Sequence, residues 1–454
     1  MAVRFFDELL SRTNEVSINV ERVWLPAGVS LTNTVQVVAN GIASAGVAFN
    51  FPVTYAVINT ADSGAGSLRQ AIANAISGDT INFAPYLSGA TITITNGEMQ
   101  LTGGLTIDAS ALTNGIRLDG NYASRIFNVA GGANVVLNSL TLTNGHSDEN
   151  DWGGAIINSG TIGLTNCTLA GNYIDGSGAG GAIYNVGTLT VSGSTLAGNS
   201  AGYAGAIRNE TTCTLQNCTF NDNTAPNNGG AIENVFGATM NILHCTFYGN
   251  SAGGAGGGIE NYLSQLNFTN TIVAVNTSDD IYNWSGSTVT AGGSNIVQTL
   301  DNGGGTVNGS VLSADPLLAL LGNYGGPTQT MPPLPGSPAI DSAVATTLNT
   351  DQRGFPRPLG LAPDIGAVEG VYNAAGPGKL TGSTRLGNGL IRFGFTNYTD
   401  TSYTVLASTN IAWPINMWSN LGAAVETPVG SGQFQFTDPT TTNHPQRYYR
   451  VRSP

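Results

Sequence analysis

Residues 229–250 read GGAIENVFGATMNILHCTFYGN. The stretch holds two short β-type runs set between glycine and asparagine turns, each too short for a helix. The pattern recurs: GGAIIN stands at 153–158, GGAIYN at 180–185, AGAIRN at 204–209 and GGGIEN at 256–261. The isoleucines at 156, 183, 207, 232 and 259 are therefore 27, 24, 25 and 27 residues apart. A second run follows each: LTNCTLAGN (164–172), VSGSTLAGN (191–199), LQNCTFNDN (215–223), ILHCTFYGN (242–250) and FTNTIVAVN (268–276). Such a unit cannot bury its apolar positions alone, whereas units stacked as coils of a parallel β-helix can.

Stacking predicts columns of side chains. Ile156, Ile183, Ile207, Ile232 and Ile259 form one inward ladder, and Leu169, Leu196, Phe220, Phe247 and Val273 another. Asn158, Asn185, Asn209, Asn234 and Asn261 form a polar ladder at a turn, where each amide can bond its counterpart one coil away. Cys167, Ser194, Cys218, Cys245 and Thr271 share a column two residues from the Leu/Phe ladder, hence on the same inward face. Cys218 and Cys245 then lie about 4.8 Å apart by strand spacing. A disulfide is conceivable there, and buried free thiols are the favoured reading. His244 aligns with Asn166, Gly193, Asn217 and Asn270, a column that reads as polar and outward.

Composition narrows the function classes. Of 454 residues, 41% are hydrophobic and only 9% charged, against roughly 25% in an average globular chain. The net charge is -13 and Lys379 is the only lysine. No basic cluster exists to neutralise phosphates, which argues against a nucleic-acid partner. No apolar stretch is long enough for a transmembrane helix. The cysteines form no CxxC pair and the three histidines are scattered, so a zinc site is not expected.

Upstream of the repeats, GSLRQAIANAI (66–76) has helical spacing, with Leu68, Ile72 and Ala75 on one side and Ser67 as N-cap. A helix there would cover the open end of the coil stack. Residues 1–53 read as an N-terminal cap or arm. Its opening reads as a short amphipathic helix rather than a signal peptide, because Asp7 and Glu8 interrupt the apolar run, and VSINVERVWL (16–25) and TVQVV (34–38) read as strands. Residues 371–380 form a Pro/Gly linker, and the alternating runs of 381–454 predict a small antiparallel β-sandwich whose aromatics are core.

NTADSGAGSLRQAIANAISGDTINF (59–83) and the GGAI-x-N and N-C-T-L-x-G-N coils resemble bacterial secreted right-handed parallel β-helix proteins. Those belong to the pectate-lyase-like superfamily, with repeats of the polymorphic-outer-membrane-protein type. DPLLALLGNYGGPTQTMPPLPGSPAIDSA (315–343) and DQRGFPRPLGLAPDIGAVE (351–369) resemble the closing segment of choice-of-anchor Q β-helix proteins. The resemblance spans residues 54–370. It implies an all-β, right-handed parallel β-helix and an extracellular or cell-surface setting, and implies no single activity. Within the closing segment, 315–370, Asp351, Arg353, Arg357, Asp364 and Glu369 read as an ion-pair and turn network that fixes the last coil.

Chemistry is sought on the outward position of GGAI-x-N: Ile157, Tyr184, Arg208, Glu233, Glu260. Glu233 and Glu260 would project side by side about 5 Å apart, compatible with a retaining glycosidase pair, with Arg208 flanking. The competing reading is a solvated position free to vary. Asp148, Glu149 and Asp151, in HSDENDWGG (146–154), are candidate calcium ligands, although the spaced pattern of a calcium loop is missing. Trp152 beside them is a candidate sugar platform. The kept interior and the varied exterior favour a surface or adhesin-like scaffold that presents a long face to a polysaccharide or other cell-surface ligand. A polysaccharide lyase or glycosidase and a head-to-tail self-assembling fibre are the alternatives.

Overall fold

A computed structural model describes residues 52–148 and 151–370, strand segments between Asn33 and Phe49, and most of 381–452. The N-terminal amphipathic helix, the run 16–25 and the linker 371–380 lie outside the described residues. Helix is almost absent, as the glycine-rich composition predicts. The helix Leu68–Asn74 is capped by Ser67, whose hydroxyl accepts from the Gln70 amide, and it buries Leu68 and Ala71 against the first strands.

The solenoid is built from three parallel sheets of nine, eleven and nine strands. The first holds Ile156–Asn158, Ile183–Asn185, Ile207–Asn209, Ile232–Val235 and Ile259–Tyr262. The second holds Thr161–Thr165, Thr188–Ser192, Thr212–Gln216, Thr239–Leu243 and Gln265–Thr269. The third holds Thr168–Ala170, Thr195–Ala197, Thr219–Asn221, Thr246–Tyr248 and Ile272–Ala274. Each coil thus carries three strands where the sequence suggested two runs. The second run turns a corner in its middle. The corner residue is left-handed in every coil: Asn166, Gly193, Asn217, His244 and Asn270 have φ of 54, 59, 50, 50 and 52°. Asn and Gly are the residues that tolerate this conformation, and His does so less often. The left-handed corner therefore falls on this column, and not on the Asn158 column.

The inward ladders stack as expected. Ile156, Ile183, Ile207, Ile232 and Ile259 are fully buried, and Phe220 lies over Phe247 at 4.4 Å with 8° between the rings. All four cysteines are free and buried, and burial pushes the Cys167 thiol up to about 12. The asparagine column is a continuous chain of amides. Asn158 donates to Asn185, which donates to Asn209, and the series runs on through Asn234, Asn261 and Asn283, all fully buried. A second amide chain, not anticipated, joins Asn172, Asn199, Asn223, Asn250 and Asn276. Asp280 terminates it by accepting from Asn276 at 2.8 Å.

The closing segment packs on the last strand of the third sheet, where Ile296 meets Ala339, Ala343 and Ile365. It also runs back along that sheet as a strap. Thr195 donates to the Gln329 carbonyl, Thr219 to the Gln352 side chain, and the Ala367 amide to the Thr246 hydroxyl. The expected ion-pair network is present inside it: Arg353 grips Asp351 with two nitrogens at 2.9 and 2.8 Å, and Arg357 pairs with Glu369 at 2.9 Å. His244 is consequently not a surface residue. It is fully buried beneath the strap, with Nδ1 accepting from Arg357 at 2.7 Å. Burial, and then the Arg357 charge, hold its pKa down at about 3.

At the C-terminus, a four-stranded and a three-stranded antiparallel sheet share a core of Phe393, Val405 and Phe436, packed against Ile391, Tyr449 and Val451. Trp418 and Phe434 are buried too, so these aromatics are core, whereas Trp413 lies outside the described residues.

Two predictions follow from this packing. Asn209→Ala removes the bond from Asn185 and leaves the Asn234 acceptor without its donor, and we expect a loss of about 1–3 kcal/mol in denaturant unfolding. Because native His244 is neutral and the unfolded side chain gains a proton below about pH 6.5, its stability contribution is present above that pH and lost as pH falls toward 3. His244→Asn, which copies the neighbouring corners, should start less stable at neutral pH and lose less on acidification. A variant with the wild-type acid slope would refute this role.

Candidate functional site

The first sheet carries the site. The strands that begin at Ile156, Ile183, Ile232 and Ile259 follow a Gly-Gly pair, and the one at Ile207 follows Ala204 and Gly205, so that the preceding loop lies flat against the next coil. Gly229 is left-handed at φ 66°, and a Cβ on Gly230 would meet the Gly257 carbonyl oxygen at 2.2 Å. Only glycine fits that approach. The loops stack into a shelf, paired through Trp152, Ala179 and Tyr203. The shelf stands on one side of the outward column, and the residues just after each strand stand on the other.

Between them lies a cleft of about 390 Å³. Its floor is Arg208, Glu233 and Glu260, brought into register as Arg208 beside Glu233 and Glu233 beside Glu260. One wall is Trp152, Ala179, Tyr203 and Asn228, and the other is Phe236, Tyr262 and Trp284. The three residues singled out from sequence are thus together. The solvated-position reading is wrong for the two glutamates: each is only 3% exposed. They point away from the bore, and the two walls cover them.

The electrostatics are those of a crowded polar triplet. Arg208 donates to Glu233 and, at 2.9 Å, to Glu210. Glu260 Oε1 accepts from the Trp284 indole at 2.6 Å and from Asn228 at 3.0 Å. Its other oxygen, Oε2, is buried without a donor. Burial, opposed by Arg208 and reinforced by Glu260, raises the Glu233 carboxyl well above the ordinary carboxylate range.

The aromatics were hardly legible as a group. Trp152 stacks on Tyr184 at 5.1 Å, Tyr262 meets Trp284 edge-on at 6.1 Å, and the Arg208 guanidinium lies 5.3 Å over Phe236. Of these, sequence reasoning had proposed Trp152 alone as a platform. Phe236 and Tyr262 stand at or just past the strand ends, in VF and YL, and only the stacked geometry puts them on one wall. Of the calcium candidates, Asp148 is exposed, Asp151 is held by Arg125 at 2.5 Å, and Glu149 lies outside the described residues. Among the described residues no three acidic, histidine or cysteine side chains meet as a metal site. No described helix is long and apolar enough to cross a membrane.

No protein-family model matches this chain, and no curated protein matches it either.

The raised Glu233 carboxyl makes a pH prediction. A raised native pKa stabilises the fold below the unfolded carboxylate range, and that contribution is lost as pH rises through neutrality. Glu233→Gln should flatten this alkaline-side loss in thermal melts. Arg208→Met, which leaves both carboxyls without a counter-charge, should cost about 3–5 kcal/mol, and adding Glu233→Gln should recover part of it.

Proposed function

We propose that this protein is an extracellular or cell-surface β-helix that binds glycan chains in the first-sheet cleft. The observation that carries this reading is one groove combining aromatic rings with fixed hydrogen-bonding groups. Trp152, Phe236 and Tyr262 are 44%, 60% and 37% exposed and line a polar floor. Aromatic faces pack against the C–H faces of sugar rings, and carboxyl, amide and indole groups fix hydroxyls. Exposed aromatics gathered in one cleft call for a partner, where scattered ones would not. The groove runs across successive coils, as an extended chain requires. Binding without cleavage fits the carboxyls better than hydrolysis, since Arg208 holds Glu233 while Trp284 and Asn228 hold Glu260 Oε1.

Calorimetric titration with β-1,4-linked oligosaccharides, with chromatography of the sugars afterwards, tests the reading. We expect saturable binding, unchanged sugar length, and at least a tenfold weakening in Trp152→Ala and Tyr262→Ala. Failure to retain any sugar on a broad glycan array would sink it.

A further inference from the structure

The floor of the cleft carries more acid than it can satisfy. Glu210, Glu233 and Glu260 face a single cation, Arg208, which is the only Lys or Arg among the residues described as lining the cleft. Arg208 is spent twice, on Glu210 and on Glu233. The outward column continues acidic: Glu260 is in register with Tyr282, and Tyr282 with Asp301. An anionic sugar polymer would meet these carboxyls with no free cation to receive it.

Glu260 sharpens the point. It is only 3% exposed, lines the cleft, and keeps Oε2 without a donor. A buried acceptor of this kind is costly to leave unmade. Around it stand the rings of Tyr262, Trp284 and Phe236. Phe236 already holds the Arg208 guanidinium over its face at 5.3 Å, so the groove places a cation on an aromatic ring in its own structure. Acidic groups beneath aromatic faces are the chemistry that receives an ammonium group.

We infer that the cleft is selective for glycans bearing free amino groups, with a sugar ammonium bonded to Glu260 Oε2. This rests on the glycan-binding reading and names the ligand class of the same site. Trp284 and Asn228 act as positioning residues, since both hold Oε1 and so leave Oε2 for the ligand. Tyr262, more than a third exposed, is the ring that must turn to admit the amine.

Three tetramers of one linkage separate the possibilities: β-1,4-linked glucosamine, its N-acetylated form, and β-1,4-linked glucose. We expect the free amine to bind at least tenfold tighter than either neutral tetramer. In Glu260→Gln that advantage, read as the ratio of the amine's affinity to that of the N-acetylated tetramer in the same variant, should fall to near unity. N-acetylation removes the charge from the ligand, so the comparison stands even where a variant folds poorly. Equal affinity for all three tetramers would overturn the inference and leave the glycan reading intact. So would an amine preference that survives in Glu260→Gln, because it would report only attraction to a chain of net charge -13. Binding of none of the three would remove both.

Discussion

Parallel in-register stacking is the constraint from which the rest of the structure follows. Each coil lies on the next so that Ile232 meets Ile259, Asn234 meets Asn261 and Phe220 meets Phe247. Every side chain in the repeat thus finds its own counterpart about 4.8 Å away. For apolar residues and amides this is favourable: rings stack, and each asparagine both donates and accepts along the axis. For charges it is not, since a repeated acid would face its like at that distance. A solenoid of this kind must therefore be polar without being charged, which is why charged residues are 9% while asparagine and threonine fill the turns and outer columns.

Against that rule, two glutamates in successive coils are conspicuous. Glu233 over Glu260 is the arrangement stacking disfavours, and the chain tolerates it with Arg208 one coil before. The second sheet shows the uncharged alternative in the column Thr188, Thr212 and Thr239. The cost is local and concentrated where the aromatic walls stand. Sites that break the local rule of a fold are where function is expected.

How much the sequence disclosed follows from the same periodicity. Whatever repeats every coil was readable: the Ile and Leu/Phe ladders, the inward cysteines, the Asn158 column and the side-by-side placement of Glu233 with Glu260. What does not repeat was hidden. His244 looked like a surface residue because its corner column is polar in other coils. Its burial comes from Arg357, 113 positions away, in a strap that has no period. The burial of the glutamates was equally invisible. It is made by Trp152, Phe236, Tyr262 and Trp284, which occupy no common repeat position and converge only once the shelf and the strand ends rise on either side. The Asn172 amide chain was different: its signal stood in every GN, DN or VN closing the second run, and only the side chain's inward direction was missing from the reading.

The three faces of the solenoid thus divide their tasks. The strap occupies the third sheet, using Thr195, Thr219 and Thr246 as its hydrogen-bonding partners. The second sheet presents short polar side chains such as Thr190, Thr214 and Asn241 and carries no wall. Only the first sheet is bordered on both sides, because the Gly-Gly pairs press the loops into a continuous shelf there. The cleft is therefore a consequence of the glycine spacing before it is a consequence of the acids in it. Were Gly230 given a side chain, the shelf would have to lift from the Gly257 carbonyl, and the wall opposite Phe236 and Tyr262 would lose its footing. The repeat that builds the bore also builds the groove, and the glutamates give one stretch of that groove its chemistry.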